Sequence, residues 1–169
     1  MRYTKFIIKN FKGIGDLTID LSKRPNSHIY TFIGLNESGK TTILEAINII
    51  TTGYNKEEAH RYIPKHLKAN CTNVVSVKAI VEVDEDDNTR IEAKFKEFGY
   101  KSYKHIDNFS INATCSFENS KAKDFVSYWD FSPILRKPKS KKDIVLNADT
   151  DDWQAMVKYI RENLMPRII

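Results

Sequence analysis

The sequence of 169 residues lacks features that define whole classes of protein. Its only cysteines, Cys71 and Cys115, lie far apart, form no CxxC pair and have no histidine at ligand spacing. This pattern argues against a disulfide scaffold and a structural zinc site. No apolar run approaches the ~18 residues of a membrane helix, and the basic N-terminus leads into a strand instead of a signal peptide. We therefore expect a soluble, cytoplasmic protein with no membrane partner.

The composition is that of a folded domain. Hydrophobic residues make up 41% of the chain, which is enough for a core and excludes wholesale disorder. The net charge of +5 permits an acidic partner such as nucleic acid but does not require one. Charge alone therefore does not assign a function.

The first third of the chain alternates in a way that is typical of α/β proteins. Apolar residues predict strands at 6–8, 17–21 and 28–33. Helical spacing then predicts a helix over 40–50 that ends near Gly53. We expect the third strand to lead directly into this helix.

The middle of the chain has a different pattern. Alternation predicts strands at 74–83, 90–98 and 109–117, with a turn at 84–88. We therefore expect an antiparallel meander over about 74–117, with one solvated face.

The C-terminal part predicts a connector and a helix. A Lys- and Pro-rich connector covers 136–148, and a helix is expected within 149–169. Asp149, Thr150, Asp151 and Asp152 suit its N-terminus. Its predicted buried stripe consists of Trp153, Val157, Ile160 and Leu164.

One motif carries chemistry. The segment from Gly34 to Thr41, GLNESGKT, matches G-x-x-x-x-G-K-[ST], the phosphate-binding P-loop. Such a loop points backbone N–H groups at phosphate oxygens, and the following helix adds the positive end of its dipole. Lys40 would reach the β- and γ-phosphates of a nucleoside triphosphate, and the Thr41 hydroxyl would bind Mg²⁺. We therefore predict that the chain binds a nucleoside triphosphate with Mg²⁺.

The form of the motif narrows the family. The loop reads GxNxSGKTT, and the N-terminus reads FIIKNFKGI followed by LTIDL. Both segments resemble the ABC-type ATPase heads of the RecF, SMC and OLD group, over about the first 55 residues. The resemblance implies an α/β P-loop fold with a mainly parallel central sheet and an antiparallel sub-sheet.

The resemblance also implies a site and partners. Lys40 would be the catalytic lysine and Thr41 the metal ligand, and Lys12 in the first turn would touch the nucleotide or simply be solvated. The implied nucleotide-binding residues are Lys12, Gly34, Asn36, Glu37, Ser38, Gly39, Lys40, Thr41 and Thr42. ATP would lie in composite sites of a homodimer, and heads of this group commonly act on DNA in repair, chromosome maintenance or defence against phage.

Several motifs of the resembled group are missing. No LSGG-like signature segment occurs. The nearest match to a Walker B pair is Asp84 and Glu85, and we interpret these residues as part of a turn. The single glutamine, Gln154, is either a nucleotide-sensing residue or, as we favour, a surface residue of a helix. We therefore expect residues 1–135 to form the N-terminal P-loop lobe of a longer or dimeric ATPase, with residues 149–169 leading toward a second lobe. Such a chain should bind ATP without efficient turnover.

Other functions remain open at this stage. The basic run 136–142 follows the aromatic residues Tyr128, Trp129 and Phe131, so a nucleic-acid-binding module is one alternative to a solvated loop. A P-loop GTPase or kinase is another, although the base-reading motif and the arginine-rich lid of those classes are absent.

Overall fold

A computed structural model describes residues 1–23, 30–35 and 39–166 of the chain. Helices and strands both contribute to it, which confirms the α/β class. The strands are β1 (Arg2–Phe11), β2 (Ile14–Asp20), β3 (Val74–Glu82), β4 (Ser102–Tyr103), β5 (Asn108–Glu118), β6 (Lys121–Asp130), β7 (Ile134–Arg136) and β8 (Asp143–Val145). The helices are α1 (Lys40–Thr52), α2 (Glu85–Glu97) and α3 (Asp151–Asn163).

Five strands form the larger sheet, in the order β2-β1-β3-β5-β6. The strands β1 and β2 pair antiparallel as a hairpin. On the other side of β1, the Asn10 side chain donates to the Val74 carbonyl and the Thr4 hydroxyl to the Ile80 carbonyl. Residue numbers rise along β1 as they fall along β3, so this pair is antiparallel too.

The rest of the larger sheet is also antiparallel. The Val83 amide donates to the Asp107 carbonyl, and the Phe117 amide donates to the Asn73 carbonyl at the other end of the same pair. Only two residues separate β5 from β6, and a connection this short joins antiparallel neighbours. The mainly parallel central sheet predicted from the sequence is therefore not present in the described residues.

The chain forms two compact units, and segments of one alternate with segments of the other along the sequence. The described residues of the first unit, here called the P-loop unit, lie within 3–80 and 110–129. Those of the second, here called the α2–α3 unit, lie within 1–2, 81–109 and 130–166.

The core of the P-loop unit comes from its strands and from α1. Alternate residues of β3 point inward, and Val75, Val77 and Ala79 are fully buried. Helix α1 buries Ile47 and Ile50, and it ends at Gly53, as its sequence pattern predicted.

The segment after α1 is fixed by aromatic contacts within the P-loop unit. The rings of Phe11 and Tyr62 stack with their centroids 5.7 Å apart. The Tyr54 hydroxyl lies 3.3 Å from the Val75 carbonyl oxygen and 3.4 Å from that of Ala113. The same segment contains a short 3₁₀ turn, Ala59–Arg61.

Helix α2 lies where the sequence pattern predicted a turn and a strand. Asp84 begins the helix with a capping box, in which its carboxylate accepts from the Asp87 amide at 2.8 Å. The apolar residues Ile91 and Phe95 are fully buried. Ile91, Ala93 and Phe95 alternate with polar residues, as in a strand with one buried face. Ile91 and Phe95 are also four positions apart, which places them on the same face of a helix. The prediction of a strand at 90–98 was wrong. The apolar spacing fits both a strand and a helix, and the capping box at Asp84 favours the helix.

Helix α3 follows its prediction closely. Thr150 is the N-cap, and its hydroxyl accepts from the Trp153 amide. Trp153, Val157, Ile160 and Leu164 are all buried. The predicted stripe is therefore the inner face of this helix.

Candidate nucleotide-binding site

The N-terminus of α1 is shaped by Gly39. This residue has φ 86° and ψ 6°, in the left-handed region that L-amino acids rarely adopt. The first helical hydrogen bond runs from the Ile43 amide to the Gly39 carbonyl at 3.0 Å. The preceding amides of residues 40–42 therefore have no partner within the helix.

The N-terminus of α1 has the features of an anion-binding site. No side chain caps it among the described residues, and its first turn contains no acidic residue. N–H groups that make no bond within the helix and the positive end of the helix dipole thus point out of α1 together. ATP phosphates fit such an end, whereas a carboxylate cap would compete with them.

Lys40 folds back onto its own loop. Its ammonium nitrogen lies 2.7 Å from the Gly34 carbonyl oxygen and 2.5 Å from that of Leu35. These contacts hold the ends of the P-loop together and keep a positive charge beside the start of α1. The sequence-predicted residues Gly34, Gly39 and Lys40 are therefore brought together.

The other residues of the motif are placed in part. Thr41 is exposed and Thr42 half-buried, both in the first turn of α1. The predicted ligands Asn36, Glu37 and Ser38 lie outside the described residues. An exposed hydroxyl in the first turn of the helix is an oxygen ligand of the kind that Mg²⁺ prefers.

The segment before the loop differs from its prediction. The sequence predicted a strand at 28–33, but residues 30–35 form no strand, and residues 24–29 lie outside the described residues. Ile33 is 93% exposed and Leu35 is 86% exposed. The strand is not formed because no described strand pairs with this segment, so its apolar side chains have no sheet against which to pack.

Lys12 lies beside α1. Its ammonium group pairs with the Glu45 carboxylate in the second turn of that helix. Lys12 has φ 52°, so the turn after β1 is held in a left-handed conformation. Its amide donates to the Tyr62 carbonyl at 2.9 Å, and its carbonyl accepts from the Lys65 amide at 3.3 Å. These bonds overcome the backbone strain and fix the lysine next to the P-loop helix.

A cleft of about 240 Å³ opens beside Lys12 and Glu45. Asn48 of α1 lines one part of it, and Arg61 and Tyr62 line another. The sequence analysis did not identify Glu45, Arg61 or Tyr62 as members of a site. No short-range pattern connects them with Lys12, because tertiary contacts bring them together: the Lys12–Glu45 ion pair and the hydrogen bonds between the first turn and residues 62–65.

The remaining candidates lie outside the P-loop unit. Asp84 and Glu85 start α2, where the Asp84 carboxylate caps the helix, so they do not form the end of a Walker B strand. Gln154 is exposed and donates from its side-chain nitrogen to the Ala148 carbonyl at 2.7 Å. That contact matches the surface position that the sequence favoured.

The basic run 136–142 forms the end of a hairpin. Arg136 closes β7 and Asp143 opens β8, and their side chains form an ion pair at 2.6 Å. The lysines between them are exposed. Of the run, only Arg136 has its charge compensated by an ion pair within the described residues.

The described residues show neither a metal centre nor a membrane helix. They contain no group of three or more His, Cys, Asp or Glu side chains that would hold a metal ion. None of their helices is long and apolar enough to cross a membrane.

Comparisons with known proteins place the chain in a family. No curated protein sequence matches it. A solved structure from work on the ATP-driven dimerization and DNA-stimulated activation of SMC ATPases is similar, with 18% identity and a TM-score of 0.49 over 97% of this chain and 81% of that one. The family model of the AAA ATPase domain matches residues 1–167. This match confirms the ATPase that the P-loop indicated, and the chain belongs to the AAA ATPase domain family.

Proposed function

We propose that the P-loop unit binds Mg²⁺–ATP at the N-terminus of α1. The observation that supports this most is the uncapped helix end with the Lys40 ammonium beside it. Amides 40–42 would contact phosphate oxygens, together with those of the loop from Gly34 to Gly39. When bound, Mg²⁺ would offset phosphate charge, and the Thr41 hydroxyl is the residue placed to hold it.

Lys40 has the central role in this proposal. It now donates to two carbonyl oxygens of the loop, and these are neutral acceptors. A phosphate is a stronger acceptor for an ammonium group because the hydrogen bond is charge-assisted. Lys40 would therefore turn toward the β- and γ-phosphates and stabilise the charge of the transferred group.

Lys12 would contribute a second positive charge. Its partner Glu45 is 43% exposed in its side chain, so this ion pair is partly screened by solvent and exchanges readily. A nucleotide phosphate or base in the adjoining cleft would compete with Glu45 for the lysine. Of the two roles predicted for Lys12, this competition favours contact with the nucleotide.

Turnover would need more than this chain provides. Asp84 is used as a helix cap, and no signature segment is present in the sequence. We infer that a homodimer or a longer chain completes the catalytic site, and that the present chain binds ATP without efficient hydrolysis. DNA is the proposed partner of the assembled ATPase, in repair, chromosome maintenance or defence against phage.

Calorimetric titration with ATP and GTP, each with and without Mg²⁺, tests this function. Replacing Lys40 by alanine removes charge-assisted hydrogen bonds of about 1.5–3 kcal/mol, so the affinity for Mg²⁺–ATP should fall roughly 10- to 150-fold. Lys158→Ala on the exposed face of α3 is the matched control and should bind like the wild type. Unchanged ATP affinity in Lys40→Ala, with an unchanged circular dichroism spectrum, would contradict the proposal.

A further inference from the structure

A second cleft of the P-loop unit is strongly basic. Its volume is about 250 Å³. We call it the basic cleft, and its lining consists of Lys12, His60, Arg61, Ile63, Lys65 and Lys68. Four lysine or arginine side chains and a histidine thus surround one depression, and no carboxylate of the described residues lines it.

The backbone under this cleft is well fixed. Lys12 makes backbone hydrogen bonds to Tyr62 and from Lys65, so the first turn and the segment 60–68 are tied together. Ile63 is only 2% exposed and anchors the segment in the core. The Leu67 amide donates to the Pro64 carbonyl at 2.9 Å and closes a 3₁₀ turn. The cations therefore stand on an ordered framework, which lowers the entropy lost when they bind a ligand.

The charges of the basic cleft are only partly compensated. Lys12 pairs with Glu45, and Arg61 pairs with Glu58 at 2.8 Å. The side chains of His60, Lys65 and Lys68 make no ion pair with any residue in the described ranges. Along the exposed face of α2, by contrast, the cations alternate with anionic side chains and pair with them.

We propose that the basic cleft binds the phosphate backbone of DNA. Several cations around a depression match a polyanion, because successive phosphates can contact them at the same time. Contacts of this kind to phosphates fix the position of a protein on the duplex and carry no sequence information directly. The choice of DNA as the polyanion rests on the proposed function, but the site is distinct from the N-terminus of α1.

The test compares two double variants that each remove two lysine charges. Lys65→Gln/Lys68→Gln changes the basic cleft, and Lys139→Gln/Lys141→Gln changes the exposed β7–β8 loop as the matched control. Binding of a fluorescein-labelled 20-base-pair duplex is measured by anisotropy between 50 and 200 mM NaCl. Thermal unfolding followed by circular dichroism confirms that both variants are folded.

The expected result follows from counterion release. Each lost phosphate contact reduces the slope of log K against log salt by about 0.9, so the cleft variant should lose about 1.8 in slope. If counterion release is the whole contribution, its affinity at 50 mM salt falls on the order of 100-fold. The control variant should keep the wild-type slope.

Three results would overturn this inference: no duplex binding by the wild type, an unchanged slope in the cleft variant, or an equal loss in the control. ATP titration of the same proteins separates this inference from the nucleotide site. The cleft variant should bind ATP like the wild type. If Lys40→Ala keeps its ATP affinity while the cleft variant loses DNA, the nucleotide proposal fails and the DNA site stands.

Discussion

Replacing Gly39 by alanine tests whether the backbone at the start of α1 forms the phosphate site. A Cβ atom added there would meet no atom of the described residues within 4 Å, so the substitution causes no clash with them. The cost comes from φ 86°, which an L-residue adopts at about 1–2 kcal/mol. Alanine also reduces the conformational entropy of the unfolded chain, and this offsets about 0.4–1 kcal/mol of that cost. The net destabilisation should be about 1 kcal/mol, or a fall of roughly 2–4 °C in Tm.

Gly99 provides the matched control for this experiment. It follows α2 in the α2–α3 unit, has φ 87°, and also has no atom within 4 Å of an added Cβ. Gly99→Ala should therefore lower Tm by a similar amount and leave ATP affinity unchanged. Gly39→Ala should lower Tm equally and also weaken ATP binding, because relief of the strain turns the Gly39 and Lys40 amides away from the phosphates. Equal ATP affinity in the two variants, measured by calorimetry, would refute the role of this backbone.

Two further predictions concern stability and thiol chemistry. The hydrogen bond from the Asp87 amide lowers the pKa of Asp84, so the stabilisation is present at neutral pH and is lost as pH falls through that lowered pKa. Asp84→Ala should lower the free energy of unfolding by about 1 kcal/mol at pH 7, and this difference from the wild type should disappear at acid pH. Urea unfolding measures both values, and an equal loss at the two pH values would contradict the role of Asp84 as a cap. Burial raises the pKa of Cys115 to about 12, so iodoacetamide should modify it at pH 8 only in denaturant, and mass spectrometry that finds rapid labelling of the folded protein would contradict this burial.

Local sequence signals were sufficient for much of the fold. The spacing of apolar residues predicted α1 and α3, and the caps Gly53 and Thr150 fixed one end of each. The alternation within β3 and β5 predicted these two strands, although the predicted meander placed a further strand between them. These elements were predictable because one period and one set of end signals agreed in each.

The errors arose where two patterns competed or where pairing decided the structure. Ile91 and Phe95 fit both a strand and a helix, and the capping box at Asp84 resolved the choice. The apolar run that includes Ile33 has strand propensity, but a strand forms only with a neighbour. Propensity alone therefore did not reveal whether this segment would join the sheet.

The candidate site also has a part that the sequence predicted and a part that it did not. The motif from Gly34 to Thr42 was evident because its function depends on residues at fixed spacing along the chain. The surroundings of Lys12 were not evident from the sequence, because Glu45 and Arg61 are 33 and 49 positions away from it along the chain. Contacts of this kind depend on the tertiary structure and leave no local pattern.

The alternation of the two units along the chain affects how the protein folds during synthesis. Strand β1 needs β3, and the side-chain bonds between them join residues 64 and 76 positions apart. Strand β3 in turn needs β5, which the ribosome makes only after all of α2. The sheet therefore assembles late, because closing long loops precedes any gain from its contacts. A fragment that ends at residue 80 would contain the whole P-loop but would leave one edge of β3 without its partner.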